Sequence, residues 1–118
     1  MTNIKKIKKD SILFIFSKNG EARGYKEYLN KRYDFNQNHI ERIDSYPTIQ
    51  KLENLRNNLK GFKFDLILAV GGGSVIDTGK VLSVFLDNQS NYDLKTIIQS
   101  PKKLDKSKKI ELHVFPTT

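Results

Sequence analysis

"LILAVGGGSVIDTGK", residues 66–80, runs from five apolar residues into three consecutive glycines, then into a serine and a helical pattern carrying one acid and one base. An apolar run without alternation is what a central parallel strand covered on both faces requires, and the pattern from Ser74 to about Leu86 is apolar over most of a helical circumference. A buried strand that turns through glycine directly into a buried helix is the centre of a βαβ unit, so this stretch predicts a parallel α/β sheet.

The flanking segments repeat that alternation. Ile49, Leu52, Leu55 and Leu59 keep a helical period behind Thr48, a capping residue, until Gly61. A short strand over 39–43 precedes this helix, with "DSYP" (residues 44–47) as the break. Nearer the start, the apolar run 12–16 ends at "SKNG", where Asn19-Gly20 signals a turn and Glu21 suits the first turn of a helix. That helix, "EARGYKEYLNKRY" (residues 21–33), places Ala22, Tyr25, Tyr28, Leu29 and Tyr33 on one face, with the tyrosines as core and rim. Downstream come a short helix over 92–99, a lysine-rich loop over 101–109 and a final strand over 110–115. The expected fold is an open, mostly parallel, Rossmann-like sheet with helices on both faces, forming one domain over 1–118.

Composition narrows the function. The 118 residues suit one modest domain and are few for an enzyme that must also enclose a substrate. Without cysteine there is no disulfide, thiolate metal site or cysteine nucleophile. The basic N-terminus holds an apolar run too short for a signal segment or a membrane span, so a soluble cytoplasmic protein is expected, with no membrane partner. The formal charge is +8, but it resides in Lys5, Lys6, Lys8 and Lys9 and in the lysines of residues 101–109 set against Asp105; the remaining basic and acidic residues cancel. Lysine segments without arginine or interleaved aromatics read as solvated, and no nucleic-acid partner is expected.

In an open parallel sheet, ligands bind outside the carboxyl ends of the strands, where Gly71, Gly72 and Gly73 stand. Glycine lets a bulky group touch the main chain, and free N–H groups at a helix start, joined by the Ser74 hydroxyl, favour an anion, so a phosphate ligand is expected. The Rossmann G-x-G-x-x-G pattern fails because Ile76 occupies its third glycine position. The Walker pattern fails on spacing and because Val81 follows the lysine. Asp77 and Lys80, three residues apart, lie off the apolar stripe; the residues alone support equally a pair facing the cleft and an ordinary surface ion pair.

"AVGGGSVIDTGK" (residues 69–80) resembles the GGGS-x-x-D-x-x-K signature of the iron-containing (group III) alcohol dehydrogenase superfamily, relatives of glycerol dehydrogenase and dehydroquinate synthase. "DSYPT" (residues 44–48) resembles the acid and Pro-Thr pair after the second strand, and the terminal "FPTT" resembles the start of the PTT-x-G-T-G-S-E motif. The resemblance implies a dehydroquinate synthase-like N-terminal domain that binds NAD, with NADP as the alternative. It implies that Gly71, Gly72, Gly73 and Ser74 hold the pyrophosphate and that Thr117 and Thr118 line the cofactor cleft. It also implies that Asp44 binds the adenosine ribose, and that Asp77 and Lys80 face the nicotinamide end. Turn chemistry gives Asp44 a second reading, as the residue that initiates the turn into Pro47. Family enzymes are much longer and carry their Fe2+ or Zn2+ ligands in a C-terminal helical domain. The two histidines, His39 and His113, lack ligand spacing and read as ordinary strand residues. The expectation is therefore a fragment, without catalytic or metal residues of its own. Its parent would transfer hydride between a nicotinamide cofactor and a small alcohol or aldehyde. A non-catalytic nucleotide-binding or oligomerisation module is the alternative, and a homo-oligomer is left open.

Overall fold

Residues 66–71 form the centre of the fold because every one of them can be buried. A computed structural model of the chain describes residues 12–18, 25–33, 39–43, 47–86, 93–100 and 109–117. Among them are four strands, β1 (Ile12–Ser17), β2 (His39–Ile43), β3 (Leu66–Gly71) and β4 (Glu111–Pro116). The helices are α1 (Lys26–Arg32), α2 (Ile49–Leu59), α3 (Gly73–Phe85) and α4 (Leu94–Gln99). All pairings are parallel, in the order β2-β1-β3-β4, with Phe14 opposite both Ile40 and Leu68 and Leu68 opposite His113. The expected α/β sheet with helices on both faces is the fold observed.

The non-alternating strands supply two cores. On one face Phe14, Phe16, Leu66, Leu68 and Val70 pack against Leu29 of α1 and Tyr33, its C-cap. On the other, Leu13, Ile15, Ile67 and Ala69 meet Leu59 of α2 and Val75 and Leu82 of α3. α4 lies outside these, its Leu94 packed with Leu52 and Phe85. β1 is followed by a crossover to β2 on one side of it and β3 by a crossover to β4 on the other, so the connections diverge between β1 and β3. In doubly wound sheets that divergence opens a crevice at the carboxyl edge.

The helix boundaries show where sequence patterning stops. Thr48 caps α2 as expected, its hydroxyl accepting from the Lys51 N–H at 3.1 Å. Ile49, read as part of the buried stripe, is 46% exposed, whereas Arg56 is buried to 4% exposure. Its guanidinium stacks 4.0 Å from the centre of the Phe85 ring and donates to Glu53 Oε1 at 3.0 Å. Glu53 Oε2 accepts from the Leu94 N–H at 2.7 Å, so one carboxylate ties α2 to α4. α2 ends at Leu59 with Lys60 as its C-cap, just before Gly61. Tyr33 is buried, its hydroxyl sharing a 3.2 Å hydrogen bond with His113 Nδ1, and burial pushes its phenol pKa above the ordinary value. Tyr28 is a rim residue, while Ala22 lies outside the described residues. Among the described residues no helix is long and apolar enough to cross a membrane.

Gly79 sets how closely α3 approaches the sheet: a Cβ there would stand 3.0 Å from Ala69 Cβ and 3.1 Å from Leu112 Cδ1. Ala69 cannot rotate away, so Gly79→Val is expected to destabilise the chain by about 1–3 kcal/mol through overpacking. Urea denaturation of the two proteins measures the difference.

Candidate functional site

Gly71 is the last residue of β3, paired with Pro116, and Gly72 is the N-cap of α3. Helix follows strand without a connecting loop, which forces a close contact. At Gly71, with φ +158°, a Cβ would lie 2.7 Å from Val75 Cγ2 and 2.9 Å from Val75 Cβ. No side chain fits, so Gly71 is required by the fold.

Gly72 and Gly73 are different. Gly72 has φ −82° and ψ −165°, an extended conformation open to any residue, and a Cβ at either position would meet nothing within 4 Å. Neither packing nor backbone conformation demands glycine at these two exposed positions. Glycine in a helix costs roughly 0.5–1 kcal/mol against alanine, so the space above Gly73 is kept clear at some expense in stability, whereas glycine is well suited to the N-cap position of Gly72.

The site around them is built from main chain. The Ile76 N–H donates to Gly72 O at 3.1 Å and closes the first turn, while the N–H groups at the very start of a helix have no partner within it. As a glycine, Gly72 offers no side-chain cap. Those N–H groups and the helix dipole make this edge attractive to an anion. Thr78, one turn below, donates from its hydroxyl to Ser74 O at 2.8 Å. Thr117 lies beside the turn, its N–H donating to Gly71 O at 2.9 Å. Gly71, Gly72, Gly73, Ser74 and Thr117 are thus brought together at the carboxyl edge.

Asp77, exposed, follows one turn into α3. Lys80 lies further down the helix and lines a hollow with Ser83, Lys109 and Glu111. Glu111 pairs with Leu66, whereas Gly71 pairs with Pro116, so this hollow reaches the opposite end of β3 from the glycines. Asp44 and Thr118 fall outside the described residues. A second hollow, of about 240 Å3, lies where β2 ends, with Ile43, Pro47, Lys51, Leu55 and Thr78 in its wall. His39 shares a 2.7 Å hydrogen bond with Glu41 Oε1 and packs its ring 5.0 Å from that of Phe62; His113 is held by Tyr33. Among the described residues no group of three or more His, Cys, Asp or Glu could hold a metal ion.

One residue at this edge carries no sequence signal. Tyr25, directly before α1, donates from its hydroxyl to Pro116 O at 3.1 Å across 91 positions of sequence. It was legible only as one member of an amphipathic stripe.

A family model described as iron-containing alcohol dehydrogenase matches residues 2–118. The chain belongs to the iron-containing alcohol dehydrogenase family. An alcohol dehydrogenase of Thermococcus barophilus is 37% identical over 84 residues, covering 68% of this chain. The match spans 22% of that relative's length. An iron-containing alcohol dehydrogenase of Thermotoga maritima superimposes with a TM-score of 0.73 at 20% identity, over 98% of this chain and 31% of the other. The aldehyde reductase YqhD of E. coli does so with a TM-score of 0.65 at 22% identity, over 89% of this chain and 28% of the other. At these identities the structural likenesses establish the fold.

The glycines separate by stability. Gly71→Ala is expected to cost about 1–3 kcal/mol, from overpacking on Val75. Gly73→Ala should be neutral or stabilise by up to about 1 kcal/mol, through helix propensity and a less flexible unfolded chain. Parallel thermal and urea melts check both.

Proposed function

We propose that this chain forms the dinucleotide-binding part of an NAD(P)-dependent alcohol dehydrogenase or aldehyde reductase. The observation that carries this reading is the open space above Gly72 and Gly73, two glycines that neither a packing contact nor backbone strain requires, at the start of a helix whose N-cap has no side chain, on the carboxyl edge of a parallel sheet. A pyrophosphate fits there: its oxygens accept from the main-chain N–H groups of the first turn, and its bulk takes the place of absent side chains. Family membership supports a nicotinamide dinucleotide over other phosphates.

Once bound, the cofactor supplies a hydride donor or acceptor for a small alcohol or aldehyde. The residues of this chain bind and orient it. Gly72, Gly73 and Ser74 hold the phosphates, Thr117 and Thr118 border them, and Asp77 continues the cleft toward the nicotinamide. Asp44 follows β2, where an acid accepts hydrogen bonds from the ribose hydroxyls and repels a 2′-phosphate, which favours NAD over NADP. The hollow at the end of β2 lies on that side. Lys80 lines the hollow toward the other end of β3. The described residues do not fit the metal of the family. The expected behaviour of the 118-residue chain is dinucleotide binding without turnover, the metal and substrate groups belonging to the remainder of the enzyme.

Gly72→Val tests the reading. Valine adopts the backbone conformation of Gly72 and meets no neighbour but is a poorer N-cap than glycine, so stability should fall by only about 1 kcal/mol. NADH binding, followed by titration calorimetry, should weaken at least tenfold. Unchanged affinity would remove the glycine turn from the binding site.

A further inference from the structure

We propose that Tyr25 is a positioning residue for the dinucleotide phosphates, acting through two clamped peptide groups; this rests on the reading of the glycine turn given above. The Tyr25 hydroxyl donates to Pro116 O at 3.1 Å, and the Thr117 N–H donates to Gly71 O at 2.9 Å. Pro116 C=O and Thr117 N–H are the two ends of one peptide group. That group is held on one side by the tyrosine that precedes α1 and on the other by the end of β3.

The next link follows from peptide geometry. Gly71 C=O shares its peptide with Gly72 N–H, and no peptide bond among the described residues is cis. In a trans peptide the carbonyl and the N–H point to opposite sides. Gly71 O faces β4, so the Gly72 N–H is directed away from β4, toward β1, which flanks β3 on its other side. This is the side of the crevice between β1 and β3. Hydrogen bonds linked in series polarise one another, so the Tyr25 bond also strengthens the donor at the far end.

A clamp is needed here more than elsewhere. The peptide lies between two glycines, the residues with the greatest backbone freedom, and without restraint it can turn its N–H out of the crevice. Tyr25 is itself held by its ring, which meets Phe115 edge-on at 5.3 Å. The ring of Tyr28 also lies near Phe115, at 6.1 Å, but that residue is 38% exposed. Tyr28 is the natural control.

The experiment uses the 15N-labelled 118-residue chain, its Tyr25→Phe variant, which keeps the ring and loses only the hydroxyl, and Tyr28→Phe. In Tyr25→Phe the amide resonances of Thr117 and Gly72 should move or broaden, with a melting temperature close to that of the wild type. NADH affinity should fall about three- to tenfold, the loss expected for one neutral hydrogen bond. Tyr28→Phe should change neither. Unmoved Thr117 and Gly72 amides in Tyr25→Phe overturn the inference, and so do displaced amides with unchanged NADH affinity, because Tyr25 would then serve structure alone. Failure of the underlying reading shows separately, as a wild-type chain that does not bind NADH, and that result overturns the role of Tyr25 as well.

Discussion

The absence of a side chain at Gly71 is the constraint on which the architecture depends. Val75 lies so close beneath it that a Cβ would overlap its methyl carbons, and only this closeness lets α3 begin immediately where β3 ends. A longer connection would carry the start of α3 away from the strand ends. As built, the first turn of the helix presents its N–H groups at the edge of the sheet, beside the end of β4. Gly79 completes the arrangement two turns later by bringing the helix axis close over Ala69 and Leu112. Two glycines thus set the position and direction of the helix dipole, and two others leave the space in front of it clear.

The division of labour among these glycines was only partly legible in the sequence. Three in a row after an apolar run reveal the turn, because it follows from local chemistry. Which glycine serves packing and which leaves room depends on where Val75 falls in three dimensions. Gly79 likewise reads as one small residue on an apolar stripe until its distance from Ala69 is known. Tyr25 was further from reach: its hydrogen-bond partner is a main-chain carbonyl on β4, and a hydrogen bond to a backbone atom leaves no pattern in the partner's residue type.

The same distinction holds for the fold. The Thr48 cap of α2 and the apolar runs of β1 and β3 fall where local preference places them, since capping and short apolar runs are properties of neighbouring residues. The inversion of Ile49 and Arg56 is tertiary in origin. A stripe assigns Ile49 to the interior, but the guanidinium of Arg56 becomes tolerable there because Phe85 offers its ring face and Glu53 its carboxylate. A charge so placed is stabilised jointly by stacking and pairing, and removal of either partner leaves it buried at a cost.

The central claim is that main-chain N–H groups around Gly72, rather than charged side chains, hold the pyrophosphate. The most direct measurement is a titration of the 15N-labelled chain with NADH, following every backbone amide. The account predicts that the largest displacements fall on Gly72, Gly73, Ser74 and Thr117. Displacements centred instead on Lys80, Lys109 and Glu111, or none at saturating NADH, would contradict it.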